Sequence, residues 1–212
     1  TSATYRQSSR VTSGLVQRDP RNILLGRGPR YRLPAHVIRD QALFLSGLLV
    51  EQTGGPAVKP YQPPGLWADF SFGKIKYAQD KGARLYRRSL YTFWRRSLGP
   101  PNMFDEADRK LCSVRSSRTN TPLRALTLLN DTTFVEASRV FAERLLKEDG
   151  SEEERLAKAF RMATARLPGP REQQVLRRAL DRSLNYYRQH PPEAEKLLNV
   201  GDKAVDSKLK KI

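Results

Sequence analysis

Three prolines fall within five positions, at Pro60, Pro63 and Pro64. Proline fixes φ and lacks an amide donor, so Val58–Trp67 can be neither helix nor central strand. The run predicts a rigid, polyproline-like backbone that presents Lys59, Tyr61, Gln62 and Trp67 at set positions. Similar punctuation recurs. Asp19 to Pro34 holds Pro20, Gly26, Gly28, Pro29 and Pro34, and Thr53-Gly54-Gly55-Pro56 and Gly99-Pro100-Pro101 follow. These stretches read as long loops between helices.

Between the loops the apolar residues follow a helical period. Val37, Ile38, Ala42, Leu45 and Leu49 predict a helix over 35–50, opened by Pro34. Leu85, Tyr86, Leu90, Phe93 and Trp94 predict a second over 84–97 with an aromatic face. Beyond residue 120 the cap signals are dense. Thr121-Pro122 opens a short helix that ends at Asn130-Asp131. A second carries Phe134, Phe141 and Leu145. Ser151 and Glu154 have capping-box spacing, ahead of a helix expected to bury Leu156, Ala159, Phe160, Ala163 and Leu167. Pro168-Gly169-Pro170 separates it from a helix through Val175, Leu176, Ala179, Leu184 and Tyr187. The expected fold is mainly α: an irregular multi-helix domain with long Pro/Gly-rich loops plus a C-terminal antiparallel helical bundle. Its parts are 1–120 (basic, aromatic- and loop-rich), 121–200 (helical bundle) and 201–212 (a polar tail, loose or a linker). The polar opening, Thr1 to Arg10, reads as the continuation of something longer.

Composition narrows the function classes. The apolar fraction of 38% in 212 residues suffices for a buried core. No apolar run approaches the roughly 18 residues of a membrane helix. One cysteine, Cys112, excludes a disulfide framework, a Cys-rich zinc site and covalent haem, and it is expected to be packed. His36 and His190 have no motif partner and read as ordinary histidines. No nucleophile elbow, phosphate loop, zinc-protease motif or dinucleotide fingerprint is present. The net charge of +17 is uneven: 22 basic and 8 acidic residues in 1–124, against 17 and 14 in 125–212. The positive field belongs to the first part, where 10 of the 18 aromatics lie between Tyr61 and Phe104. Such a field suits an anionic polysaccharide, an acidic protein surface, lipid headgroups or nucleic acid.

Within that part the candidate ligand-binding residues are Lys59, Tyr61, Gln62, Trp67, Arg88, Arg118 and Asn120. Aromatic and amide groups on a braced loop suit sugar stacking and polar recognition. The same loop also serves if Tyr61 and Trp67 simply pack on the core. Arg84, Arg88 and Arg95 would share one stripe of the predicted 84–97 helix and suit phosphate or sulfate groups. Arg39-Asp40, inside an apolar helix, reads as a structural ion pair. Hydrolytic chemistry would need two carboxylates brought together by folding, with Asp40, Asp69, Asp105 and Asp108 as candidates.

Five segments make a set. They are Val37-Ile38-Arg39-Asp40-Gln41-Ala42-Leu43, Gly54-Gly55-Pro56 with Lys59 to Trp67, Tyr86 to Trp94, Arg118 to Leu123, and Leu129-Asn130-Asp131. In this order they resemble the planctomycete C-terminal domain of unknown function found beside cytochrome c modules, a PSD-type domain. The resemblance implies a periplasmic or extracellular, exported protein. Its partners would be an upstream cytochrome c module and a second planctomycete domain, with haem only in that separate module and no cofactor in this chain. No catalytic residue carries over. The chain departs from the family pattern in lacking the upstream modules and a final apolar helix, whose absence would leave an apolar patch exposed. The functional expectation is a binding or scaffold domain that positions a polysaccharide or sulfated glycan. The alternatives are a carbohydrate-active hydrolase or oxidoreductase partner domain, and a nucleic-acid-binding domain.

Overall fold

The computed structural model describes residues 2–4, 6–29, 31–95, 98–106, 112, 114 and 119–206. They divide into two compact units, Thr1–Leu33 and Pro34–Ile212. In the first, helix α1 (Ser13–Arg18) is capped by Thr12, whose hydroxyl accepts the Leu15 N–H. A tight loop follows, in which the Asp19 carboxylate accepts the Ile23 and Leu24 amides.

The second unit contains seven helices among the described residues: α2 (Ala35–Ser46), α3 (Leu66–Ser71), α4 (Pro122–Asn130), α5 (Thr132–Leu146), α6 (Glu152–Thr164), α7 (Pro170–Gln189) and α8 (Pro191–Leu198). Among the described residues there are no strands, only isolated bridges. The fold is therefore mainly α. The predicted 35–50 helix stops at Ser46 because Gly47 takes a left-handed φ of 79° and its amide closes back on Leu43 and Phe44. The Thr121 and Ser151 caps form as the sequence indicates, and Asp131, expected only as part of a break, caps α5 by accepting the Thr133 amide.

The core lies where α2 and α5 pack together, around Leu43, Leu48, Leu85, Tyr86, Ala137 and Val140. Arg39 runs through this core fully buried. Its guanidinium donates to the carbonyls of Leu85 and Arg87, both at 2.9 Å, and to Ser89 Oγ at 3.2 Å. Burial lowers the Arg39 pKa below its ordinary value, against the opposing effect of Asp40 and Asp131. Asp40, beside it, accepts the Ser89 amide at 2.7 Å. The pair expected at Arg39-Asp40 is thus structural: two neighbouring side chains clamp one loop.

That clamp overturns the predicted 84–97 helix. The chain there forms two 3-10 turns, Gly82–Tyr86 and Ser89–Tyr91, and is extended between and after them. A helix would need the carbonyls that Arg39 occupies and the amide that Asp40 holds. Tyr86 O also accepts the Val50 amide, Tyr91 O the Val58 amide, and Val58 O the Phe93 amide. Tertiary partners satisfy the backbone groups that a helix would pair internally. Arg84, Arg88 and Arg95 consequently share no stripe.

The bundle is looser than expected. α6, α7 and α8 have no fully buried residue, while α5 has seven. Leu156, Ala159 and Phe160 are half-buried, and Ala163 and Leu167 are exposed. Each of these helices touches its sequence neighbours, so one face is covered and the rest meets solvent. α4 shows Leu123, Leu126 and Leu129 to solvent at successive helical spacing. The described part of the tail expected to be loose or a linker, residues 201–206, is tied to the core by hydrogen bonds. Asp202 Oδ2 accepts the Gly82 amide at 2.8 Å, and the Asp202 and Lys203 amides donate to Tyr61 Oη and Glu136 Oε1, both at 2.7 Å.

At the α6–α7 corner Arg166 grips Glu172 through both guanidinium nitrogens, at 2.6 and 2.7 Å, and the Gly169 amide adds a bond at 2.8 Å. Arg166 first, then Gly169, lowers the Glu172 pKa from its ordinary 4.5 to about 2. A depressed folded-state pKa stabilises above the unfolded value and is lost as pH falls through the folded one. Melting temperatures of Glu172→Gln and the parent are therefore expected to diverge between pH 2 and pH 4.5, the parent gaining with rising pH. Parallel curves across that window would show the corner to be inert.

Candidate functional site

Two neighbouring grooves meet at Trp94. The first grows from the proline run. Val58 pairs with the Tyr91–Phe93 segment, which sets Lys59 beside Phe93, its Nζ 5.6 Å from the ring centre. Gly65, at φ 81°, ends the extended run earlier than the sequence predicts, because no proline follows Pro64, and opens α3, so Trp67 sits on a helix and not on the braced loop. Trp67 Nε1 donates to Gln62 Oε1. The Tyr77 hydroxyl donates to Pro60 O at 2.8 Å. That bond lays Tyr77 against Trp67, stacked at 5.4 Å, with Phe93 at 5.8 Å. Burial first, and Asp80 second, raises the Tyr77 pKa. Arg95 lies over Trp67 at 6.0 Å and Phe70 at 5.6 Å. The cavity of about 430 Å³ is lined by Lys59, Trp67, Ile75, Lys76, Tyr77, Phe93, Trp94 and Arg95. No carboxylate is among these residues. Asp80, which interacts with Lys59, is held by the Lys59 amide at 2.7 Å and by Arg84 at 3.0 Å.

The second groove, about 360 Å³, is lined by His36, Asp40, Arg88, Ser89, Leu90, Trp94, Met103 and Glu106. His36 Nδ1 lies 2.5 Å from Glu106 Oε1. Arg88 Nε lies 3.7 Å from Asp40 Oδ2. The Ser89 hydroxyl, at the edge of this groove, accepts from Arg39 at 3.2 Å.

The structure brings Lys59 and Trp67 into the first groove, with Gln62 seating Trp67, and puts Arg88 in the second. Tyr61 is buried, its hydroxyl taken by the Asp202 amide. Asn120 is exposed and lines neither groove. Arg118 and Asp108 lie outside the described residues. Asp105 is held by Thr119 at 2.7 Å and by Arg124 at 2.5 Å, and Asp69 is exposed. Asp40 and Asp105 therefore act as structural acceptors. Among the described residues no group of three His, Cys, Asp or Glu could hold a metal.

The profile of PSD1, a protein of unknown function (DUF1553), matches residues 1–180. The chain belongs to the PSD1 family. No curated protein and no solved structure matches it. Both grooves fall inside the matched residues, whereas α8 and the ordered Gly201–Asp206 segment lie beyond them. In this PSD1 chain sequence reasoning missed Lys76, Tyr77, Trp94 and Arg95 as one wall, and the His36–Glu106 pair. Trp94 and Arg95 were legible only as members of a helix that does not form. His36 and Glu106 are 70 positions apart, and no local spacing announces them. Cys112, expected to be packed, is exposed. Among the described residues no helix is long and apolar enough to cross a membrane.

Proposed function

We propose that this PSD1 domain is a binding module for an anionic polysaccharide, carried within an exported, cytochrome c-linked protein. The observation that carries the reading is the first groove. Three cations, Lys59, Lys76 and Arg95, ring a wall of four aromatic side chains, and no carboxylate shares the lining among the described residues. Cations beside aromatic faces supply charge for sulfate or carboxylate groups and apolar area for sugar C–H faces. The +14 balance of residues 1–124 adds a long-range field of the same sign. The roles of Asp40 and Asp105 as structural acceptors favour recognition over hydrolysis.

The test compares dextran sulfate with uncharged dextran by calorimetry. Binding of dextran sulfate alone is expected, weakening with salt. Lys59→Ala/Arg95→Ala is expected to lower the affinity about tenfold or more. Arg182→Ala/Arg188→Ala removes the same charge from the exposed face of α7 and is expected to change it by less than about twofold. Equal losses in the two variants would reduce the binding to bulk charge and sink the proposal.

A further inference from the structure

Trp94 lines both grooves, and its position is set from behind by Gly99. A Cβ on Gly99 would fall 2.5 Å from Trp94 Cζ2 and 2.8 Å from Cε2, so the indole lies directly on the glycine backbone. Only glycine permits that approach. The ring is therefore a fixed shared wall, and the two sides differ in charge. On one side stand three cations with no carboxylate among the described lining residues. On the other, the described lining holds two carboxylates, Asp40 and Glu106, and one permanent cation, Arg88, 3.7 Å from Asp40, while Arg39, 3.8 Å from Asp40, is fully buried behind it. An ionised carboxylate has about four acceptor positions, so both acids keep capacity for further hydroxyl donors. They also repel a second anion, which discriminates by penalty as well as by attraction. Leu90, 75% exposed, adds an apolar surface for a ring face. Each cavity is near the lower end of small-molecule sites.

We infer that the two grooves are adjacent subsites of one channel, an anionic sugar unit lying beside Lys59 and Arg95 and an uncharged unit beside His36 and Asp40, with Trp94 between. The substrate class is thus a polysaccharide in which charged and uncharged units alternate. This rests on the anionic-glycan reading above and narrows it.

Calorimetry on the full chain with three hexasaccharides tests it: hyaluronan, which alternates glucuronate with a neutral sugar; hexagalacturonate, charged at every unit; and uncharged cellohexaose. Hyaluronan is expected to bind about tenfold tighter than hexagalacturonate, and cellohexaose weakest. His36→Ala removes the imidazole, and Leu90→Glu places a charge at an exposed position that should leave folding intact. Each is expected to cost about tenfold for hyaluronan and less than about twofold for hexagalacturonate. Equal affinity for the two anionic probes, or equal losses for both in these variants, overturns the two-subsite inference and leaves the anionic-glycan reading standing. If neither anionic hexasaccharide binds, the two-subsite inference is overturned, and binding of dextran sulfate decides whether the anionic-glycan reading falls with it.

Discussion

Arg39→Met is expected to destabilise the domain by about 3–5 kcal/mol, the cost of breaking a buried, hydrogen-bonded charge. Methionine keeps much of the aliphatic volume, so the loss falls on the polar end. Three acceptors, Leu85 O, Arg87 O and Ser89 Oγ, would lose their donor inside the core. Each orphaned buried acceptor costs about 1–3 kcal/mol, softened if water enters. Asp40 would also lose the guanidinium 3.8 Å away. Denaturant unfolding measures the change. A shift below about 1 kcal/mol would show that the 85–91 loop needs no clamp. The consequence for function is direct, because this loop carries Arg88 and leads into Phe93, Trp94 and Arg95. The variant is expected to weaken binding in both grooves although Arg39 lines neither.

Gly201→Ala is expected to cost about 3 kcal/mol, from left-handed backbone strain and overpacking together. Gly201 has φ 95°, and a Cβ there would lie 2.3 Å from Cδ of the buried Glu136. The glycine presses on the carboxylate that closes the core. Glu136 Oε1 accepts the Tyr86 hydroxyl at 2.9 Å and the Lys203 amide at 2.7 Å. Burial, followed by Glu136, raises the pKa values of Tyr61 and Tyr86, so both phenols stay protonated as donors. Arg139 holds Lys203 O at 2.5 Å, and Lys147 pairs with Asp206 at 2.7 Å. A methyl group therefore has to displace either Glu136 or the whole 201–206 segment. Unfolding reports the total, and hydrogen exchange at the Asp202 and Lys203 amides reports which part moves. Unchanged exchange together with unchanged stability would refute the close packing.

The helices were legible where the chain punctuates itself. The Thr121 and Ser151 caps and the Pro/Gly breaks act within a few residues, and the same bonds form whatever packs nearby. The proline run was legible for the same reason, since a fixed φ and a missing donor are properties of the residue itself. The 84–97 segment shows the opposite case. Its apolar spacing fits a helix, but Arg39 and Asp40, more than 40 positions earlier, take its backbone groups. The 201–206 segment reads as a loose tail because its polarity says nothing of a buried glutamate waiting for its amides.

The sequence by itself determined the helical class, the helix starts beyond residue 120, the unequal charge and the extended proline run. These depend on local conformational preference and on composition, which need no distant partner. Only the tertiary structure decided that Trp94 and Arg95 face Lys59 and Trp67 instead of lying along a helix, that His36 meets Glu106, and that Tyr61 is buried. Each of those outcomes depends on contacts between residues far apart in the chain, and for the 84–97 segment the pairing of buried polar groups with Arg39 and Asp40 outweighs a weak local preference for helix.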